Sequence, residues 1–230
     1  MTEPRPAWLD HARERIESAD RGFFEQFAPP PQGGRRSSVL ILFGPAPGGG
    51  EDVVLTERAH TMRSQPGHIS FPGGQREPAD ASAAAAALRE AQEEVGIEPS
   101  TVDIVAELPD IYLGPREFVV TPVLGWWREP GSVDGIDPAE VHRAVRAPLA
   151  DLLDPASRFT VTHPSGYRGP GFEFDGLFVW GFTAGLLSAV LDFGGLTLPW
   201  DRNVERGLPE RLLPGGPRDA LTQTATEGQA

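Results

Sequence analysis

The 230-residue chain contains no cysteine and no lysine, and it lacks a long uninterrupted apolar run. Without cysteine there is no disulfide framework, thiolate metal site or cysteine nucleophile, and a reducing compartment is favoured. All 20 basic side chains are therefore arginine, which a coding bias explains better than function does. The longest apolar region, Leu177 to Phe193, is interrupted by glycine and polar residues, so we expect no membrane-spanning segment. The first residues lack the pattern of a secretion signal, and we expect a cytoplasmic protein.

The chain is strongly acidic, with 33 acidic against 20 basic side chains and a net charge of −13. Nucleic-acid binding requires a basic surface, so we expect no nucleic-acid partner. A small anionic substrate remains compatible with this charge, because a bound metal ion inverts the local electric field. A hydrophobic fraction of 39% and this length indicate a globular protein with one full core.

Three glutamates occur together in the segment from Leu88 to Ile97. Glu90, Glu93 and Glu94 have the i, i+3 and i+4 spacing that makes residues neighbours on one face of a helix. Because like charges at this spacing repel one another, the cluster favours a cation that holds them. Carboxylate oxygens suit Mg²⁺ or Mn²⁺, which retain sites for a phosphate. The alternative is an ordinary solvated acidic face.

The predicted elements alternate between strands and helices, which indicates an α/β or α+β domain. Predicted helices cover residues 7–27, 83–95, 138–154 (one or two short helices) and 182–191. Predicted strands cover residues 39–43, 53–58, 69–71, 102–108 and 118–127, and residues 158–163 and 172–180 are expected to form a hairpin. Gly96 is the predicted C-terminal stop of the glutamate helix. The predicted division is an N-terminal helix and linker (1–34), a catalytic domain (35–198) and a poorly packed tail (199–230).

The glutamate helix and the loop before it are similar to the signature box of the Nudix hydrolases. The core pattern R-E-x-x-E-E-x-G is complete from Arg89 to Gly96, with Ala91 in the aliphatic slot. The segment from Leu55 to Gly74 resembles the additional motif of coenzyme A pyrophosphatases, L-T-x-R-[SA]-x₃-R-x₃-G-x₃-F-P-G-G. It matches at every fixed position: Leu55, Thr56, Arg58, Ala59, Arg63, Gly67, Phe71, Pro72, Gly73 and Gly74. Thr121-Pro122-Val123 is also similar to that subfamily.

The sequence departs from these patterns in three places, and the first is Gln75, which stands where the general box has its first glycine because this loop is one residue longer, as in coenzyme A members. The early glutamate of the box is missing, and Asp80 or Ala81 occupies its place; we expect Asp80 to support Arg89 by pairing with it. The segment from Leu113 to Phe118 stands where the subfamily has a small polar stretch.

The resemblance implies a Nudix-fold α/β/α sandwich with a central mixed sheet and a loop–helix–loop box. It implies that Glu90 and Glu94 bind Mg²⁺ or Mn²⁺ and that Glu93 is a third ligand or positions water. Arg89 is expected to orient the glutamates. Gly73 and Gly74 would let the backbone approach the substrate. The site has six candidates for a fourth carboxylate, and the sequence does not select among them: Glu107, Asp110, Glu117, Glu140, Glu173 and Asp175.

Arg58 and Arg63 are the candidate contacts to phosphate, with a surface ion pair as the alternative for each. His68 is either a base or, more in keeping with a turn position, a hydrogen-bonded structural group. Trp126, Trp127 and Tyr112 either stack on an adenine or belong to the core.

The expected reaction is metal-dependent hydrolysis of coenzyme A, or of an acyl or oxidised form, to 3′,5′-ADP and a phosphopantetheine product. Two alternatives are a Nudix hydrolase of another nucleoside diphosphate derivative, such as ADP-ribose or NADH, and a non-catalytic nucleotide sensor. The expected partner is thus a small nucleotide of the coenzyme A class. A homodimer is possible, since the N-terminal helix offers an apolar face.

Overall fold

The computed structural model describes residues 4–18, 23–30, 34–113, 117–133 and 137–213, which form two β-sheets and several helices. The helices are α1 (Ala7–Glu17), α2 (Ala83–Val95), α3 (Leu149–Leu153) and α4 (Gly181–Phe193). The strands of the larger sheet are β1 (Arg35–Pro45), β2 (Glu51–Arg58), β3 (Ile69–Ser70), β4 (Gly73–Gln75), β5 (Val102–Glu107), β6 (Ile111–Leu113), β7 (Phe118–Trp127) and β8 (Val141–Pro148). The strands of the smaller sheet are β9 (Arg158–Thr162), β10 (Arg168–Phe174), β11 (Leu177–Val179) and β12 (Glu205–Gly207).

The larger sheet is mixed, and its central pair is parallel. Strands follow the order β3-β2-β1-β7-β5, with β4 paired to β1, β6 to β7 and β8 to β2. Strands β1 and β7 run parallel, from Arg35 opposite Phe118 to Phe43 opposite Trp126. The other pairings in this sheet are antiparallel. A long connection containing β2, β4 and α2 thus separates the two parallel strands, as parallel pairing requires.

Strand β1 divides the core into two layers because its side chains alternate between the two faces of the sheet. Leu40 and Leu42 pack with α2, whose buried positions include Ala87 and Val95. Ile41 belongs to the opposite layer, which also holds the buried residues of α1 and α4. The central mixed sheet therefore has helices on both faces, and the predicted α/β/α sandwich is confirmed.

The smaller sheet has the order β11-β10-β9-β12, in which β12 pairs parallel with β9. Its buried side chains form a separate apolar cluster: Phe159, Val161, Phe178, Leu208 and Leu212. Its other face packs against α4, so this sheet extends the layer that contains α1 and α4.

Several predicted elements are confirmed, and two of them, α2 and β7, have the predicted bounds. Helix α2 covers Ala83–Val95, and Gly96 ends it with φ +71°. Strand β7 covers Phe118–Trp127. Strands β1, β2, β3 and β5 and helix α4 also form where the pattern predicts them, within a few residues at their ends.

Four predictions differ from the structure. The first helix ends at Glu17, before a short 3₁₀ turn at Glu25–Phe27, so it does not continue to residue 27. Residues 141–148 form strand β8, because pairing with β2 outweighs the helix propensity of their alanines and arginines. The predicted hairpin forms between β9 and β10, but its second strand begins at Arg168, and a turn at Asp175 and Gly176 separates that strand from β11.

The segment from Pro199 onward also differs from the poor packing predicted for it. Strand β12 pairs with β9, and Leu208 and Leu212 are buried. Residues 214–230 lie outside the described residues. The division of the chain at residues 34 and 198 stays a prediction. Among the described helices, none has the length and apolar character needed to cross a membrane, and the cytoplasmic location stays a prediction.

Candidate active site

Helix α2 carries the three glutamates and is fixed at both ends by its own sequence. The hydroxyl of Ser82 accepts a hydrogen bond from the Ala85 amide at 3.0 Å, which caps the N-terminus. Gly96 adopts the left-handed conformation at the other end, and its amide donates to main-chain carbonyls of the last turn. The buried alanine face then fixes the rotation of the helix, so the glutamate face points toward strand β4.

Two adjacent glycines of β4 receive the carboxylates of Glu94 and Glu90. The Gly73 amide donates to Oε2 of Glu94 at 3.0 Å. The carboxylate of Glu90 lies against Gly74, where an added Cβ would come within 2.5 Å of the carboxylate carbon. At Gly73, with φ +152°, a Cβ would collide with the backbone of Ser38 and Val39. Both glycines therefore permit a close approach that no other residue allows.

Glu94 is a buried carboxylate without an ion pair in the described part of the chain, and its surface exposure is 7%. Burial raises its pKa to about 7, and the negative charges of Glu90 and Glu140 act in the same direction. The hydrogen bond from Gly73 and the charge of Arg58 partly oppose this rise in the pKa. Burial also raises the pKa of Glu90, against the effect of Arg89. Burial therefore disfavours the charged form of both carboxylates, and a bound divalent cation would favour it.

Arg89 holds the glutamate face in place through bonds on both sides of its guanidinium group. Its Nε and Nη2 donate to the two oxygens of Asp80, each at 3.1 Å, and this pair keeps the pKa of Asp80 below its usual range. Nη2 also donates to the carbonyl of Gln75. Nη1 donates to Glu90 at 3.0 Å and to Glu93 at 3.1 Å. The pairing of Asp80 with Arg89 and the orienting contacts of Arg89 were both expected from the sequence.

The structure brings Glu90 and Glu94 together but leaves Glu93 further out, with 60% of its side chain exposed. Across the residues described, no group of three or more histidine, aspartate and glutamate side chains is arranged to hold a metal ion. Glu90 and Glu94 nevertheless fit a divalent cation, because both carboxylates are desolvated and the charge of Glu90 raises the pKa of Glu94. The assignment of all three glutamates as ligands stays a prediction.

The two candidate arginines occupy different positions relative to the glutamates. Arg58 ends strand β2, and its positive charge acts to lower the pKa of Glu94. Its Nε is buried and has no hydrogen-bond partner among the described residues. Arg63 is exposed in the loop that follows β2. Their roles in substrate binding stay predictions.

Of the six carboxylates left open by the sequence, Glu140 is the one whose charge acts on the pair. It raises the pKa of both Glu90 and Glu94, and its carbonyl accepts a hydrogen bond from the Ala59 amide at 2.8 Å. Four others bond elsewhere: Glu107 to Ala84, Asp110 to Thr121, Glu173 to Arg206 and Asp175 to Arg143. Glu117 is exposed at the start of β7.

The remaining candidate residues, Trp126, Trp127 and His68, pack against other parts of the fold. Trp126 and Trp127 are 2% and 1% exposed, so they belong to the core. The ring of His68 lies 5.4 Å from that of Trp180, and its carbonyl accepts from the Arg58 amide. Of the segment from Leu113 to Phe118, residues 114–116 lie outside the described part of the chain.

Comparisons with known proteins find a family model, relatives and solved structures that are similar to this chain. The protein-family model of the NUDIX domain matches residues 34–165 of this chain. The uncharacterized Nudix hydrolase NudL of Cronobacter sakazakii is 38% identical over 162 residues, covering 66% of this chain and 79% of the relative. The mitochondrial Nudix hydrolase 15 of Arabidopsis thaliana is 32% identical over 164 residues, covering 66% and 56%. A solved Nudix hydrolase from Alicyclobacillus acidocaldarius aligns at 18% identity with a TM-score of 0.45, over 71% of this chain and 93% of the other.

The chain therefore belongs to the NUDIX domain family. It is a Nudix hydrolase, an enzyme that hydrolyses phosphoanhydride bonds. Enzymes of this family generally require divalent metal ions and act on small nucleotide substrates.

Proposed function

We propose that this enzyme cleaves the diphosphate of coenzyme A, or of its acyl or oxidised derivatives, to 3′,5′-ADP and a 4′-phosphopantetheine product. The observation that supports the proposal is the contact of Gly73, a residue of the Leu55–Gly74 motif, whose amide donates to the buried Glu94 at 3.0 Å. The complete motif from Leu55 to Gly74, which resembles that of coenzyme A pyrophosphatases, selects this substrate from those of other Nudix enzymes.

The side chains of the site have separate tasks in this reaction. Glu90 and Glu94 would hold Mg²⁺ or Mn²⁺, and Glu93 would be a third ligand or position the water. Bound there, the cation stabilises negative charge on the diphosphate and lowers the pKa of water. Arg89 keeps Glu90 and Glu93 in place while it is itself held by Asp80. Glu140 adds a further carboxylate from the segment before β8.

The bond changes are those of a simple hydrolysis. The oxygen of one water molecule bonds to one phosphorus atom, and the P–O bond to the bridging oxygen breaks. A carboxylate of the site accepts the proton that water loses. The departing phosphate leaves as an anion, and Arg58 would neutralise part of its charge.

A substrate panel analysed by product mass tests the proposal. The purified chain is incubated with Mg²⁺ or Mn²⁺ and with coenzyme A, 3′-dephospho-coenzyme A, ADP-ribose or NADH. We expect 3′,5′-ADP from coenzyme A and the highest kcat/KM with that substrate. Faster turnover of ADP-ribose or NADH would instead assign the enzyme to another nucleoside diphosphate derivative.

Glutamine variants test the site assignment within the same assay. We expect Glu90→Gln, Glu93→Gln and Glu94→Gln to lose 3′,5′-ADP formation, since each removes a charge from the proposed cation site. Glu98→Gln, just beyond the helix, is the matched control and keeps turnover. Unchanged turnover in a folded Glu94→Gln chain would refute the assignment.

A further inference from the structure

The loop that carries Arg63 is closed at its base by its own backbone. Residues 59–68, the motif loop, connect β2 to β3, and Arg63 is exposed near their middle. The Arg58 amide donates to the carbonyl of His68 at 2.9 Å, and the Gly67 amide donates to the carbonyl of Arg58 at 3.0 Å. These two bonds fix the ends of the loop, so the position of Arg63 depends on what holds the residues between them.

The imidazole ring of His60 packs across the motif loop against Gly67. A Cβ added at Gly67 would lie 3.0 Å from Cε1 and 3.1 Å from Nδ1 of this ring. Gly67 also has a φ of +68°, a conformation that favours glycine. A larger residue at position 67 would therefore displace the ring as well as strain the backbone.

Strands β2 and β8 hold the same ring from its other side. Nε2 of His60 lies 3.4 Å from Oε1 of Glu57, and the two side chains are only 23% and 15% exposed. The other carboxylate oxygen of Glu57 accepts a hydrogen bond from Nε of Arg143 at 3.1 Å. The centroid of the His60 ring is 4.6 Å from that of His142, and the planes meet at 72°. His60 thus links the motif loop to two paired strands of the larger sheet.

We propose that Glu57 and His60 are positioning residues, which hold the motif loop so that Arg63 contacts the 3′-phosphate of the substrate. Neither residue is a fixed position of the motif from Leu55 to Gly74. A loop that is already ordered loses less conformational freedom when the substrate binds, so the gain is in binding. This inference rests on the proposed hydrolysis of coenzyme A.

Steady-state kinetics with two substrates test the role of His60. We expect His60→Ala to raise the KM for coenzyme A roughly tenfold and to leave kcat unchanged, because the loss is one of uniform binding. The KM for 3′-dephospho-coenzyme A should stay that of the wild type, since this substrate has no 3′-phosphate. His11→Ala, on the exposed side of α1, is the matched control and keeps both KM values.

A second variant tests the same contact from the strand. Glu57→Gln keeps the size of the side chain but removes the charge beside His60, and it should also raise the KM for coenzyme A alone. Glu51→Gln, at the other end of β2, is its control. Either variant decides the question if the other does not fold. Wild-type KM values in a folded variant would overturn the proposal, as would a fall in kcat with both substrates.

A double-mutant cycle separates positioning from a direct contact of His60 with the substrate. If His60 acts through Arg63, the chain with both His60→Ala and Arg63→Gln has the same KM for coenzyme A as Arg63→Gln alone. Independent, multiplying increases in KM would overturn the proposal.

Trypsin gives a measure of the loop that does not depend on activity. We expect His60→Ala to speed cleavage of the bond between Arg63 and Ser64, followed by fragment mass, because the loop opens more often. His11→Ala should be cut there at the wild-type rate. Failure of the wild type to release 3′,5′-ADP would refute the proposed function, and proteolysis would still decide this inference. Faster cleavage in His60→Ala supports it, and an unchanged rate overturns it.

Discussion

At the scale of single residues, Glu94 links the stability of the metal-free protein to pH. Its pKa is about 7 in the folded chain, against an ordinary value of 4.5. The folded state therefore holds this proton more tightly than the unfolded state does. The associated stability is fully present below pH 4.5 and is lost as the pH rises through about 7. The size of this contribution is on the order of 3 kcal/mol.

We expect Glu94→Gln to remove this pH dependence, because glutamine is neutral throughout and can still accept the Gly73 hydrogen bond. Urea unfolding of metal-free wild type and variant at about pH 5 and about pH 8 measures the effect. The variant should be the more stable protein at the higher pH. Glu14→Gln, on the exposed side of α1, is the control and keeps the wild-type difference. An identical pH dependence in Glu94→Gln would show that Glu94 does not titrate in this range.

The two motif arginines should differ in which phosphate they contact. The charge of Arg58 acts on Glu94, and its buried Nε has no acceptor in the described structure, so we expect this residue to contact the diphosphate. We expect Arg58→Gln to lower kcat/KM roughly 10- to 100-fold for coenzyme A and 3′-dephospho-coenzyme A alike. Arg63 is exposed further along the loop, and we expect Arg63→Gln to affect coenzyme A alone. Equal losses from both variants with both substrates would contradict this division.

At the scale of secondary structure, strand β4 and helix α2 act as one unit. A methyl group at Gly74 would meet the end of the Glu90 side chain, which is flexible, whereas one at Gly73 would meet backbone. Gly74→Ala should therefore displace Glu90 and lower kcat roughly 100-fold with little loss of stability. Gly73→Ala should lower the free energy of unfolding as well.

Parallel measurements of kcat and of urea unfolding separate these effects. Gly48→Ala is the control, since nothing lies within 4 Å of the added methyl group. Full activity of a folded Gly74→Ala chain would mean that the position of Glu90 is not needed for turnover.

The elements that the sequence predicts best are those whose causes are local. The alanine run between the Ser82 cap and Gly96 specifies α2 without help from the rest of the fold. Strand β8 was missed because its cause is distant: residues 141–148 extend only because they pair with β2. Glu140 could not be selected among six carboxylates for the same reason. It is far from Glu94 in the sequence, and the pairing of β8 with β2 brings it to the site.

At the scale of the whole molecule, the family match ends at residue 165, within the smaller sheet. Helix α4 lies beyond that point, yet it shares a core with β1 and β2 of the larger sheet. Strand β12 and the residues after it then cover Phe159 and Val161. A homodimer stays a prediction from the sequence.

The predicted boundary at residue 198 has a testable consequence for the folding of the whole chain. A chain that ends at Leu198 loses the pairing of β12 with β9 and the burial of Leu208 and Leu212. Each leucine contributes about 1.5–3 kcal/mol, and domains of this kind are stable by only about 5–15 kcal/mol. We therefore expect the chain that ends at Leu198 to unfold at a much lower urea concentration than the full chain. A chain that ends at Leu213 keeps these contacts and serves as the matched control. If both chains unfold at the same urea concentration, the segment from Pro199 to Leu213 adds nothing to the core, and the smaller sheet is stable with three strands.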